Sequence, residues 1–106
     1  MSFLFTGGDG YIGWPAALRI AKRTRERVVL VDNLARREWV DSVGSTSAVP
    51  VSAPEERLAA AREVHGLSNL SFVNDDLTDR SVVDRLLSVH EPSVIVHTAA
   101  QPSAPY

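Results

Sequence analysis

The chain has 106 residues, enough for one domain with a modest core, because a chain of this size buries between ~60 and ~70% of its unfolded surface. Apolar residues make up 44% and charged residues 23%, ordinary for a globular protein, and the net charge of −2 gives no electrostatic reason to expect nucleic acid or an anionic membrane as a partner. Cysteine is absent, which excludes a disulfide scaffold and thiolate chemistry, and no apolar run approaches the ~20 residues that span a bilayer.

The first strand is expected over residues 3–5, a short apolar and aromatic run two residues after Met1. That start leaves no room for a signal or transit peptide, so a cytoplasmic location is the expectation. The strand leads into Thr6-Gly-Gly-Asp-Gly-Tyr-Ile-Gly13, in which the glycines at 8, 10 and 13 satisfy G-x-G-x-x-G and those at 7, 10 and 13 satisfy G-x-x-G-x-x-G. One glycine of such a set allows a tight turn, one lets backbone approach a phosphate, and one lets helix pack on strand. The helix that follows would point its free N–H groups and positive dipole end at a pyrophosphate. By itself the spacing is a weak signal, and the rest of the chain has to supply the context.

Pro15 suits the first turn of that helix, and Trp14, Ala17, Leu18 and Ala21 share one face. Val28-Val-Leu-Val31 is the continuous β-branched run of a parallel strand buried on both faces, and it ends at Asp32. Residues 33–53 show little periodicity and predict an irregular excursion with a short helical turn around residues 36–43. A connection of that length is more often functional than idle. Ser52-Ala-Pro-Glu55 matches the capping box and predicts the start of a helix that Gly66 stops. Residues 70–73 predict a third strand, followed by a polar turn over 74–79. Val83, Leu86, Leu87 and His90 predict the inner face of another helix, which Pro92 prevents from continuing. Residues 94–97 predict a fourth strand, and residues 98–106 a loop. The alternation implies an α/β fold, the N-terminal part of a Rossmann-type parallel sheet in the order 3-2-1-4 with flanking helices. Residues 1–106 then form one partial dinucleotide-binding domain without a second domain. The fourth strand would be an exposed apolar edge, so the isolated chain is expected to be weakly stable or to self-associate.

Asp32 lies 19 residues beyond Gly13, where a dinucleotide fold places the acid that holds the adenosine ribose hydroxyls. A carboxylate there accepts from a diol and repels a 2′-phosphate, which favours NAD over NADP. Arg36 and Arg37 are either a phosphate contact or a solvated loop pair; the acid weighs more because the strand end fixes it. Asp76 and Leu77 fall on the same carboxyl edge, where the acid can accept from an adenine amino group while the leucine packs on the ring. Asp79 reads as a helix cap. Thr98, Ala99 and Ala100 are small enough to let backbone approach the middle of the cofactor. His97 reads as a strand-end histidine satisfied by its neighbours, and the histidines at 65, 90 and 97 are too isolated in sequence to suggest a metal site. The conclusion from the residues is dinucleotide binding, with NAD as cofactor.

These segments resemble a known family. Residues 6–13, Val31-Asp-Asn-Leu34, Asp76-Leu77 and His97-Thr-Ala-Ala100 are similar to the extended short-chain dehydrogenase/reductase superfamily of sugar-nucleotide enzymes. Gly-Asp-Gly-Tyr-x-Gly-Trp14, then Asp-Asn-Leu-x-Arg-Arg37, the loop over 44–50 with Glu56-Arg57, and Gln101-x-Ser-Ala-Pro-Tyr106 resemble the UDP-sulfoquinovose synthase family. The resemblance covers the whole chain but only the opening portion of such an enzyme. It implies NAD-dependent assembly of UDP-sulfoquinovose from UDP-glucose and a sulfite donor, with transient oxidation at C4, elimination across C5–C6 and sulfite addition, in a homodimeric parent. Carried over by position, it implies that Gly7, Gly10, Tyr11, Ile12 and Gly13 hold the pyrophosphate. Asp32, Asn33, Leu34 and Arg36 would hold the adenosine, Asp76 and Leu77 the adenine. Ala99 and Gln101 would lie where cofactor meets substrate, and Arg57 would join the cofactor site through the long loop. Asp75 departs from the family's glycine, and Pro102 stands where arginine is expected.

The superfamily's catalysis needs a tyrosine with a lysine four residues later. Neither Tyr11 nor Tyr106 has one, and Lys22 is the only lysine. No catalytic residue is therefore expected here, and the chain reads as an N-terminal fragment that is inert alone. A nucleotide-sugar 4-epimerase or 4,6-dehydratase would share everything up to the fourth strand. A non-catalytic dinucleotide-binding module is the alternative from another class.

Overall fold

The structure, a computed structural model, describes residues 1–99. In chain order the elements are β1 (Ser2–Thr6), α1 (Gly13–Thr24), β2 (Arg27–Asp32), α2 (Ala35–Ser42), α3 (Pro54–His65), β3 (Leu70–Asn74), α4 (Arg80–His90) and β4 (Val94–His97). All strand pairs are parallel and the sheet order is β3-β2-β1-β4, the Rossmann arrangement expected from the alternation. Thr6 is in register with both Val31 and His97, and Asp32 with Asn74. The carboxyl ends of all four strands therefore finish at one edge, which brings the polar strand-end residues together.

The strand sequences explain the layers. Successive side chains on a strand point to opposite faces. Phe3, Phe5, Val28 and Leu30 accordingly pack with Ala17 and Ala21 of α1 and Ala61 of α3, while Leu4, Val29 and Val31 pack with Val82 and Leu86 of α4. The run Val28–Val31 is buried on both faces because each face has its own helical cover. The alanines at 17 and 21 are fully buried and let α1 lie close to the sheet.

Three local expectations are corrected. Ser52 does not cap α3: the N-cap is Ala53, with no side-chain hydrogen bond, and Pro54 opens the helix instead. A proline at this position removes one of the four unpaired N–H donors at the helix start and presets its backbone angle for the helix. Gly66 does end α3, in the left-handed region at φ 64. The inner face of α4 is Val82 and Leu86, with Leu87 39% exposed, because the helix begins at Arg80 and turns the i, i+4 pair inward. The strands β1, β2 and β3 each run beyond the apolar stretch, to Thr6, Asp32 and Asn74; ladder pairing carries polar residues that hydropathy alone leaves out.

Asp79 caps α4 as expected, its carboxylate accepting from the Ser81 N–H at 2.9 Å and the Ser81 hydroxyl at 2.7 Å. These bonds, the hydroxyl's first and the N–H's second, hold the Asp79 pKa below its ordinary value. A carboxylate lowered on folding stabilises above its unfolded pKa, and that contribution disappears as pH falls through the folded value. Asp79→Ala is therefore expected to lower the urea midpoint of the chain at neutral pH, with the difference from wild type closing below about pH 4. A difference that stays constant down to about pH 2 would contradict the assignment.

β4 forms one of the two edges of the sheet among the described residues, with Ile95 53% exposed. Beside it lies an apolar groove of about 250 Å³ lined by residues that include Leu4, Leu77, Val83, Leu86 and Ile95. No described helix is long and apolar enough to cross a membrane.

Candidate dinucleotide site

The glycine turn sits at the carboxyl edge between β1 and α1. Gly7 has φ +75, and the N–H groups of Gly7 and Gly8 both donate to the Val31 carbonyl, at 2.8 and 3.1 Å, which bends the chain sharply off β1. A side chain at Gly7 would meet Thr98 Oγ1 at 2.7 Å, and one at Gly8 would meet Leu30 Cβ at 2.6 Å. A Cβ at Gly13 would run into the Gly7 carbonyl oxygen and would stand 2.9 Å from Thr98 Oγ1. The turn is thus packed too closely against Leu30, Thr98 and its own backbone to carry side chains at these positions. The N–H groups of Tyr11, Ile12 and Gly13 find no acceptor among the described residues. Tyr11 is 87% exposed and Ile12 64%, so these three donors at the start of α1 are open to an anion from outside. A cradle that only glycine permits, with free N–H groups at a helix N-terminus, fits a pyrophosphate.

Asp32 ends β2 beside this turn. One of its carboxylate oxygens accepts from the Asp9 N–H at 3.0 Å and the other from the Leu34 N–H at 2.8 Å. Each oxygen keeps a lone pair, which is what a ribose diol requires. Leu34 adopts φ 61 to bring its N–H round to Asp32. Asn33 is exposed and its side chain accepts from the Ala35 N–H at 3.0 Å, opening α2.

The residue that joins the turn to the long excursion is Asp9, missed in the sequence reading as a site residue. Its side chain is 8% exposed. It accepts from Arg37 Nε at 2.6 Å and Nη2 at 2.7 Å in a bidentate pair. The same Arg37 guanidinium donates to the carbonyls of Val51 and Ser52, so one side chain fastens α2 and the approach to α3 onto the glycine turn. Its pKa is raised above the ordinary value, first by the hydrogen bond to Asp9 and against the effect of burial, with the charges of Asp9, Asp32 and Glu55 adding to the rise. Arg57 completes the cluster, donating to the Asp9 carbonyl at 3.3 Å, with its guanidinium carbon 5.4 Å from the Trp14 ring centroid. Trp14 and Arg57 thereby share a cation–π contact on the far side of the turn.

The structure places Arg57 beside the glycine turn and gives the two neighbouring arginines different surroundings. Arg36 is exposed, whereas Arg37 faces the body of the protein. Successive helical residues point about 100° apart, so one of such a pair must face outward, and only the tertiary position of α2 decides which. A charged residue inside a glycine turn, with two arginines just after the second strand, was the available signal.

Asp75 and Asp76 stand at the end of β3. The Asp75 N–H donates to the Asp32 carbonyl at 3.1 Å, which ties this corner to β2, and the Asp75 carboxylate pairs with Arg85. Asp76 is exposed; one oxygen accepts from the N–H and hydroxyl of Thr78, at 2.9 and 2.8 Å, and the other is free among the described residues. Leu77 leans against the Val29–Val31 and α4 cluster, at the rim of the apolar groove. After β4, Thr98 donates its hydroxyl to the Thr6 carbonyl at 2.6 Å, and Ala99 stands next to it close to Gly7. His97 is satisfied by Thr6 Oγ1 at 2.7 Å, as expected of a strand-end histidine. Gln101 lies outside the described residues.

A parallel sheet in the order 3-2-1-4, with a glycine-only cradle at a helix N-terminus and an acid at the end of the second strand, defines a dinucleotide-binding protein of the Rossmann class. The model of the NAD dependent epimerase/dehydratase family matches residues 3–105, and the chain belongs to that family. NAD is the family's cofactor, in agreement with the cofactor read from the sequence. The chain is 42% identical over its whole length to the UDP-sulfoquinovose synthase of Sulfolobus acidocaldarius, of which it covers 26%. It is 33% identical over 100 residues to the chloroplastic UDP-sulfoquinovose synthase of Spinacia oleracea, covering 20% of that protein. Among solved structures, a UDP-glucose-4-epimerase from Stenotrophomonas maltophila with bound NAD and formylated UDP-arabinopyranose is similar at TM-score 0.68 and 27% identity, over 97% of this chain and 25% of that one. The chain therefore spans about a quarter of the length of these relatives.

Proposed function

We propose that the chain is the cofactor-binding portion of an enzyme that builds UDP-sulfoquinovose from UDP-glucose and a sulfite donor. The observation that carries this reading is the 42% identity to a UDP-sulfoquinovose synthase along all 106 residues, against 35% over 97 residues to a UDP-arabinose 4-epimerase. In this reading the N–H groups of Tyr11, Ile12 and Gly13, over a floor made by Gly7 and Gly10, hold the pyrophosphate of NAD. Asp32 accepts from the adenosine ribose, with Asn33 and Leu34 shaping the loop around it. The free oxygen of Asp76 accepts from the adenine, and Leu77 supports that corner from below. Arg57 acts on the site through Asp9, and Ala99 faces the region where the nicotinamide meets the sugar; the family resemblance alone assigns Gln101 to that region. The chain's own residues bind and orient the cofactor; NAD, when bound, supplies the hydride acceptor for oxidation of the sugar at C4. A Tyr-x-x-x-Lys pair is absent from the 106 residues, so the chain alone is expected to be catalytically inert.

The test is to incubate the complete gene product with UDP-glucose, sulfite and NAD and identify the nucleotide sugar by mass and NMR. UDP-sulfoquinovose is the expected product. UDP-galactose would assign the protein to the 4-epimerases instead, and a 4-keto-6-deoxy sugar to the dehydratases. NAD binding without any turnover would leave a non-catalytic module.

A further inference from the structure

We infer that Asp9 is a positioning residue that makes the site select NAD against its 2′-phosphorylated form, by keeping Arg37 occupied. The inference rests on the reading that the adenosine ribose sits at Asp32.

Arginine is the side chain best suited to a 2′-phosphate, because its planar fork offers two parallel N–H bonds to an oxyanion. The chain carries such an arginine within electrostatic reach of Asp32, since the Asp32 charge acts on Arg37. The two acids are themselves joined, the Asp9 N–H donating to the Asp32 carboxylate at 3.0 Å. In the structure the fork of Arg37 is already filled by Asp9 on one side and by the Val51 and Ser52 carbonyls on the other. The second cation, Arg57, is also turned toward Asp9, with 3.5 Å between its Nη1 and the carboxylate. Asp9 thus engages both arginines, and an arriving phosphate that faces Asp32 and Asp9 finds the fork of Arg37 already taken. Asp32 alone would repel the phosphate; Asp9 withholds the Arg37 fork that could compensate. The solvent exposure of the Asp9 side chain, 8%, means that this pairing operates where screening by water is weak.

Removing the Asp9 charge while keeping its shape leaves the Arg37 fork short of a partner. Asp9→Asn in the complete gene product is therefore expected to raise the ratio of NADP to NAD affinity, read by calorimetric titration of each nucleotide, by about tenfold or more, the size of one charge-assisted pair. Arg37→Gln alone is expected to leave the ratio within about twofold of wild type, because Arg37 is not available to the phosphate. In the double variant the gain disappears. A structural role alone would weaken both nucleotides by the same factor, and that result for Asp9→Asn overturns the inference, as does a gain that survives Arg37→Gln. Should Asp9→Asn fail to fold, Arg37→Gln still decides: a fall in the ratio of about tenfold would show that Arg37 already reaches the phosphate. An Asp32→Ala variant that binds NAD with wild-type affinity would instead refute the underlying placement of the ribose.

Discussion

Gly13→Ala is expected to weaken NAD binding by about a hundredfold, which corresponds to about 2.7 kcal/mol. The new methyl group would overlap the Gly7 carbonyl oxygen and stand 2.9 Å from Gly7 C. Neither obstacle is a flexible side-chain end. Both belong to the backbone of the turn, which is itself hydrogen-bonded to Val31 through Gly7 and Gly8. Relief requires α1 to move off β1, carrying the free N–H groups of Ile12 and Gly13 away from the phosphate position. Overpacking of this kind costs about 1–3 kcal/mol in stability, so the fold is expected to survive with a lower melting point. Gly10→Ala is the internal control. Its Cβ would stand 3.1 Å from the Gly7 oxygen, a contact that a small local adjustment relieves, and its effect is expected to be far smaller. Calorimetric titration of the complete gene product with NAD checks both; equal affinities for Gly13→Ala and wild type would show that the cradle is not the phosphate site.

Leu30→Ala is expected to destabilise the protein by about 3 kcal/mol, within the range for truncating a fully buried leucine. Leu30 is 0% exposed and belongs to the larger core cluster with Phe5, Val28, Ala17 and Leu70. It also lies directly under the turn, its Cβ and Cδ2 being the atoms a side chain at Gly8 would strike. Truncation removes Cδ2 and leaves only Cβ under Gly8, so NAD affinity is expected to fall together with stability. Val29 provides the comparison: it is 1% exposed on the opposite face, packed with α4. Val29→Ala is expected to lower stability while leaving affinity close to wild type. Chemical denaturation and NAD titration on the same preparations separate the two effects. Equal losses of affinity in both variants would mean that general loosening, rather than the floor under Gly8, sets the affinity.

The parts legible in the sequence share one property: each depends on local pattern. The continuous apolar run at Val28–Val31 carries its own burial on two faces, and Asp79 followed by Ser81 carries its own cap. Four strands separated by helical stretches leave little choice but a parallel sheet, because parallel neighbours need crossovers of that length. Glycines at 7, 10 and 13 mark the turn for the same reason. The less legible parts depend on what the chain meets at a distance. The capping-box pattern at Ser52 was overridden because the Ser52 carbonyl is held by Arg37 and Pro54 begins the helix without a cap. The inner face of α4 shifted to Val82 and Leu86 because the strand residues Leu4, Val29 and Val31 define where it packs.

The sequence by itself determined the class of this protein: a glycine turn between strand and helix, an acid at the end of the second strand, and a family pattern along the whole chain. Those features are short-range, so no partner from elsewhere in the fold is needed to read them. Only the tertiary structure decided that Asp9, Arg37 and Arg57 form one cluster. Asp9 and Arg37 are 28 residues apart, and Asp9 and Arg57 are 48 apart. α2 has no buried residue of its own, so hydrophobic pattern says nothing about where it docks. Its place is set by a charge pair between the excursion and the turn, and such pairs carry no periodicity that a sequence could display.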